Sequence, residues 1–196
     1  MCESNDTERI IIPPTKAWEI VSQADKAYLR ECPCRVLAQN CPRDIWEVCL
    51  LFESASQEEL QGARPISAAE ALSILEKAAD RRAIHNLFYT HHGQKVTEIC
   101  SCCTCCCRPL RRIKAEGNYS AQLRSEYVAV TDPALCTDCG SCEESCFFEA
   151  RWIKDGTLQL ITEQCFGCGR CMESCPEGAI RLEREAGHGI EIPACV

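Results

Sequence analysis

The sequence predicts an α+β protein in two parts. A mainly helical, cysteine-rich N-terminal domain over residues 1–127 precedes a smaller module of short antiparallel strands and short helices over 128–185, and residues 186–196 form a tail. Three observations lead there. Cysteine accounts for 20 of the 196 residues. The segment from Cys136 to Ile153 repeats as Cys165 to Leu182 at an offset of 29. The longer helix signals fall in the first part, before the repeat begins.

Those helix signals come in order. Residues 1–14 read as a loose arm ending in Pro13-Pro14. Thr15 is placed to cap a helix from Lys16 to about Arg30, with Trp18, Val21, Ala24, Tyr28 and Leu29 as a rough apolar stripe. Ile45 to Phe52 reads as a short helix. Ser67 followed by Glu70 is a capping box, and the helix behind it, Ala68 to about Arg82, sets Ala71, Leu72, Leu75, Ala78 and Ala79 on one side. Leu87-Phe88-Tyr89 reads as a short strand, and Gly117-Asn118 as a turn near the boundary between the two parts.

Composition bounds the chemistry. Hydrophobic residues make up 46% of the chain, but cysteine inflates that figure, so bound metal is expected to supplement a thin apolar core. The polar start Met1-Cys2-Glu3-Ser4-Asn5-Asp6 shows no basic and apolar leader, and no run is long enough for a membrane span. A cytoplasmic setting is therefore expected, in which thiols stay reduced and free to bind metal. The net charge of −8 is concentrated after residue 127, where 5 Lys/Arg face 12 Asp/Glu. Such a surface argues against nucleic acid and for a basic docking face on a redox partner.

Each copy of the repeat reads Cys-x2-Cys-x2-Cys-x3-Cys, the spacing of 4Fe–4S ligation. Three thiolates on one tight loop cap three irons of a cube. The fourth opens a short helix and points toward the other site. Cluster one is thus expected from Cys136, Cys139, Cys142 and Cys175, and cluster two from Cys165, Cys168, Cys171 and Cys146. Gly140 and Gly169 allow close backbone approach to the inorganic sulfides. Paired zinc knuckles use longer spacers, which two unbroken four-cysteine runs fit poorly.

On these motifs residues 128–185 resemble the two-cluster bacterial ferredoxins over that module's full length. The resemblance implies strands near Tyr127–Val130, Arg151–Ile153, Leu158–Ile161 and Ile180–Glu183. It departs at one point: Pro176 follows the fourth cysteine of the second run as in that family, whereas Phe147 takes the place in the first.

Ten further cysteines fall in two groups, Cys32, Cys34, Cys41 and Cys49, then Cys100, Cys102, Cys103, Cys105, Cys106 and Cys107. A loop wrapped around metal uses such density better than a strand or helix, which would splay the side chains. The phrases Cys32-Pro33-Cys34-Arg35 and Ile99 to Cys107 resemble a cysteine-rich extension of some ferredoxin-like proteins of anaerobes, over about residues 15–112. One site drawing on both groups is expected. It is read as a third iron–sulfur cluster, with structural zinc, a redox dithiol beside Arg108, Arg111 and Arg112, and inert packing as alternatives. The basic run 108–114 reads as a solvated face, as compensation for an anionic centre, or as a docking site for an acidic partner. His91 and His92 read as a polar turn; Cys2 and Cys195 as free thiols; His85 and His188 are given no role.

The function expected is electron transfer, as a carrier or as a subunit of a larger oxidoreductase. The alternative is a reductase whose N-terminal thiols bind and reduce a substrate such as a disulfide. A metal-stabilised scaffold comes third. No glycine-rich nucleotide loop is present in the sequence to support a flavin, nicotinamide or ATP site.

Overall fold

The computed structural model describes residues 7–39, 41–44, 46–90, 95–120 and 123–193. Cys2, Cys195, His91 and His92 lie outside the described residues.

The N-terminal part is built on a sheet, which corrects the expectation of a mainly helical domain. Six strands, β1 (Thr7–Ile12), β2 (Ala27–Glu31), β3 (Glu47–Phe52), β4 (Arg64–Ile66), β5 (Ile84–Thr90) and β6 (Val96–Cys102), pair antiparallel in the order β1-β5-β6-β3-β2-β4. The expected loose arm is in large part β1, an edge strand whose Ile10, Ile11 and Ile12 are all buried. The expected helix over 16–30 stops early: α1 runs Pro14–Gln23, and Ala27–Glu31 turns into β2 with alternating burial. Trp18, assigned to the apolar stripe, is 38% exposed, because Ala17, Ile20 and Val21 form the buried face instead. In place of the expected helix over Ile45–Phe52, Val48 to Phe52 form an unbroken buried run in β3. Short continuous apolar runs carry no period that separates strand from helix.

The helix behind the capping box forms as expected. It is α3, Ala68–Asp80, following the short α2 (Pro33–Ala38) in chain order. The Glu70 amide donates to Ser67 Oγ at 3.2 Å. Its Ala71, Ile74, Leu75 and Ala78 are buried with α1 against one face of the sheet, among Ile10, Ile12, Leu50, Phe52, Leu87 and Ile99. The other face carries Ile11, Ile84 and Cys102, covered by Leu110 and Ile113 of α4 (Arg108–Glu116) and by Phe148 and Phe166. That second face positions the chemistry.

The C-terminal part follows the implied strand plan. β7 (Tyr127–Thr131) pairs antiparallel with β10 (Ile180–Arg184), and β8 (Arg151–Lys154) with β9 (Thr157–Leu160). Two short helices, α5 (Ser141–Ser145) and α6 (Arg170–Glu173), begin at Gly140 and Gly169, both with left-handed backbone, φ 81° and 75°. The duplication is visible in the bonding. Ser145 Oγ donates to Cys142 O and Ser174 Oγ to Cys171 O, each at 3.1 Å, and the two hydroxyls meet each other at 2.7 Å, as equivalent residues do at an approximate two-fold axis. Beyond β10, Ile190 and Ile192 pack back on the N-terminal core.

Replacing Ser67 by alanine removes the cap acceptor of α3 and is expected to cost about 1 kcal/mol of stability, read as a lowered midpoint of anaerobic unfolding followed by circular dichroism.

Candidate iron–sulfur and thiolate site

The eight cysteines of the duplicated runs line two small cavities of matching size. Cys136, Cys139, Cys142 and Cys175 surround one of about 330 Å³ of empty space, closed by Gly140, Ile153, Leu158, Ala179 and Ile180. Cys146, Cys165, Cys168 and Cys171 surround the other, of about 320 Å³, with Phe148, Ala150, Phe166 and Gly169. Each cavity takes three thiols from one run and the fourth from the other, the crossed arrangement expected from spacing.

The donor set and its surroundings fit a thiolate-held cluster. The Ala179 amide donates to Cys175 Sγ at 3.3 Å, the kind of outer hydrogen bond that steadies sulfur ligands. At Gly167, φ 62°, an added Cβ would lie 2.3 Å from the Tyr127 carbonyl oxygen, so the loop between Cys165 and Cys168 can press on β7 only as glycine. At Gly169 a Cβ would come within 2.9 Å of Pro14, where the N-terminal part touches this loop. Burial raises the thiols of Cys142, Cys165 and Cys168, and pushes Cys171 up to about 12. Three such thiols around the second cavity and one at the first suit bound metal, which removes the proton that burial would otherwise retain.

Sequence reasoning missed the cations. Arg151 is buried, with Nη1 donating to Thr131 Oγ1 at 2.7 Å and Nη2 to the Ala129 carbonyl at 2.5 Å. Its charge acts on Cys142 of the first cavity and on Cys165 and Cys171 of the second. The duplication could have flagged it, since the matching position is Ile180. His188, given no role, is buried and donates from Nε2 to the Cys165 carbonyl at 2.9 Å.

The N-terminal cysteines converge as well, though not all in a loop. Cys100 and Cys102 sit on β6, two residues apart and so on one face, and register sets Cys49 of β3 directly opposite Cys100 with sulfurs 3.2 Å apart. Cys102 is in contact with Cys100 and Cys107, and Cys32 with Cys49. Hydrogen bonding from Cys49 holds the Cys32 thiol down to about 6. Cys100 also approaches Glu98 at 2.9 Å, and that carboxylate pairs with Arg30 at 3.1 Å. Cys41, Cys103, Cys105 and Cys106 form a second group, with all four sulfurs within 4.8 Å of one another. Between the groups lies Arg35, fully buried, whose Nη2 donates to the Ser101 carbonyl at 3.1 Å. Burial opposes its charge, and the neighbouring thiols of Cys103 and Cys32 sustain it. The expected cationic compensation thus comes from Arg35 inside the fold. In the basic run, α4 is mostly solvated: Arg112 pairs with Glu116 at 2.7 Å and Lys114 with Glu149 at 2.6 Å. His85 is buried, hydrogen-bonded to Ser101 at 3.0 Å, and lowered to about 4 by burial.

Comparison with known proteins agrees with the C-terminal geometry. Residues 135–180 match the 4Fe–4S dicluster domain family, so the chain carries a ferredoxin-like iron–sulfur domain. An uncharacterized ferredoxin of Methanocaldococcus jannaschii is 41% identical over 70 residues, 33% of this chain and 42% of that protein. An iron–sulfur protein of Rhodospirillum rubrum is 33% identical over 74 residues, 35% of this chain and 39% of that one. A component of the Na+-translocating ferredoxin:NAD+ oxidoreductase complex of Acetobacterium woodii is 38% identical over 52 residues, 26% of this chain and 16% of that component. The chain thus spans less than half the length of these relatives. Among the described residues, no helix is long and apolar enough to cross a membrane.

Gly167→Ala is expected to displace the Cys165–Cys168 loop from Tyr127. The measurement is iron content of anaerobically purified protein, with a loss confined to one cluster's worth.

Proposed function

We propose that this chain is an iron–sulfur electron-transfer protein, working as a carrier or as a redox subunit of a larger assembly, with two 4Fe–4S clusters. Cluster one is held by Cys136, Cys139, Cys142 and Cys175, and cluster two by Cys146, Cys165, Cys168 and Cys171. The observation that carries the reading is the pair of matched cavities, each lined by one of these crossed thiol sets. A 4Fe–4S group supplies one-electron exchange when bound.

The chain's own residues then shape that exchange. The carboxylate-rich C-terminal part disfavours added negative charge, whereas buried Arg151, beside thiols of both cavities, favours it. Phe148 stacks on Phe166 with ring centroids 4.1 Å apart, and both belong to the apolar cluster that contains Cys102 and Cys107 and is flanked by Cys168. This packing supports a reading in which the second cavity, rather than the first, faces the N-terminal thiols. We therefore assign the N-terminal cysteines to an additional metal site that exchanges electrons with cluster two. The reductase alternative has less support, since Cys32, Cys41, Cys49, Cys102, Cys103, Cys106 and Cys107 are buried, Cys34 and Cys100 are half-buried, and Cys105 alone of the ten is exposed. A partner with a basic docking face and a reducing, cytoplasmic setting complete the reading.

The full chain, purified anaerobically, is expected to contain about eight irons with matching sulfide in the C-terminal clusters, plus further metal in the N-terminal part. Cys139→Ser should remove or convert one cluster in the EPR spectrum of the reduced protein. Stoichiometric zinc with no iron in the wild type sinks the proposal.

Arg151→Leu removes the cation shared by both thiol sets. Both reduction potentials are expected to move to more negative values in an EPR-monitored titration, because the added electron loses a buried positive charge that acts on thiols of both cavities.

A further inference from the structure

The ten N-terminal thiols separate by geometry into two sets, and the separation carries chemistry. Cys41, Cys103, Cys105 and Cys106 stand apart from the strand-borne set. The Cys41 and Cys103 sulfurs are 3.7 Å apart, those of Cys105 and Cys106 also 3.7 Å, and all four lie within 4.8 Å of one another. A tetrahedral ion with metal–sulfur bonds of about 2.3 Å holds its sulfurs about 3.8 Å apart. A cubane holds its terminal thiolates more widely, since each lies outboard of a different iron. The same molecule offers the comparison: among the described residues, no three of the eight thiols around the two C-terminal cavities come within 4.8 Å of one another.

The local structure builds this tetrad. Cys103 to Cys107 form a turn closed by the Cys107 amide donating to the Cys103 carbonyl at 3.2 Å, which gathers Cys103, Cys105 and Cys106 on one side. A second turn, closed by the Asp44 amide on the Cys41 carbonyl at 3.2 Å, brings in the fourth thiol. Arg43 Nη2 donates to Thr104 Oγ1 at 3.3 Å and joins the two turns. Beside them is Arg35, fully buried, with Nε and Nη1 lacking a nitrogen or oxygen partner among the described residues and with the thiols of Cys103, Cys32 and Cys41 next to it. A buried guanidinium with no carboxylate partner calls for an anion. Four thiolates on one divalent ion carry a net charge of about −2, and Arg35 offsets part of it.

We propose that Cys41, Cys103, Cys105 and Cys106 bind a single tetrahedral thiophilic metal ion, zinc or iron, in a site separate from the other six N-terminal thiols. This deepens the N-terminal part of the function proposed above and rests on it. The tetrad holds one ion without inorganic sulfide. Of the other six, Cys102 and Cys107 lie in the apolar cluster of the Phe148–Phe166 pair with Cys100 beside it, and Cys32, Cys34 and Cys49 pack with the first core, Cys49 joined to Cys100 at 3.2 Å.

The test uses the full chain, purified anaerobically, with iron, zinc and acid-labile sulfide counted and masses taken under native conditions. Relative to wild type, Cys41→Ser and Cys106→Ser are each expected to lose one metal atom and no sulfide, while Cys34→Ser keeps it. The lost atom distinguishes zinc from iron, and either supports the site. A measurement on the wild type guards against variants that fail to fold. Cys105 is exposed, so as a free thiol it reacts at once with iodoacetamide; as a ligand it is protected until a chelator is added. Loss of several irons together with sulfide in Cys41→Ser overturns the mononuclear site but leaves an N-terminal metal centre standing. Immediate alkylation of Cys105 in wild type, with no metal beyond the two clusters, overturns both.

Discussion

A thiolate buried away from water must be met by metal or by positive charge, and the interior of this chain is arranged around that demand. Two arginines answer it. Arg35 lies between the two N-terminal thiol groups, and Arg151 between the two C-terminal cavities. Both are fully buried and neither has a carboxylate partner among the described hydrogen bonds; each anchors its guanidinium on backbone carbonyl, Ser101 for one and Ala129 for the other. An arginine so placed is stable only if the sulfur around it is anionic. Where such a site takes metal, binding and folding are linked.

The same constraint explains the join between the parts. The second face of the sheet carries Ile11, Ile84 and Cys102 and would be exposed without a cover. Phe148 and Phe166 provide it, and both come from segments adjoining cysteines of the second cavity, Cys146 and Cys165. Pro14 against Gly169, and Arg170 Nη1 donating to the Ala79 carbonyl at 3.4 Å, hold the same loop from the side. The second cavity is thus separated from Cys102 and Cys107 by packed side chains.

Much of this is legible in sequence where chemistry repeats, and little where only packing decides. The duplicated run implies the crossed thiol sets, because the fourth cysteine of each run has to leave its own loop. Ser67 with Glu70 marks the start of α3. The sheet is hidden for physical reasons. Ile10-Ile11-Ile12 is buried on both faces and shows no alternation, β3 is an unbroken apolar run, and in β6 the residues Cys100 and Cys102 look like ligand-loop material until Cys49 is set opposite. Register across a sheet is a tertiary property that no local pattern announces. Arg35 carries no local sign of burial either, since that burial depends on the two turns that close over it.

Departures from the duplication carry information of their own. Where the second copy has Ile180, the first has Arg151, and where the second has Pro176, the first has Phe147. These changes break an otherwise symmetric pair. Phe147 packs at the edge of the apolar join, 5.3 Å from Phe148 and under the Lys114 ammonium, so the first copy's helix end is committed to contact with α4. Arg151 reaches across to β7 and supplies one charge to two sites. A symmetric module would treat its two clusters alike. Here one copy has been adapted for docking and for charge, and apart from the shared Arg151 the two cavities differ in what surrounds them: the first is bordered by Asp138 and Glu177, the second by Arg170, itself paired with Glu173, and two phenylalanines. The carboxylates of Asp138 and Glu177 oppose an added electron at the first, and the second is the cavity that faces the N-terminal thiols.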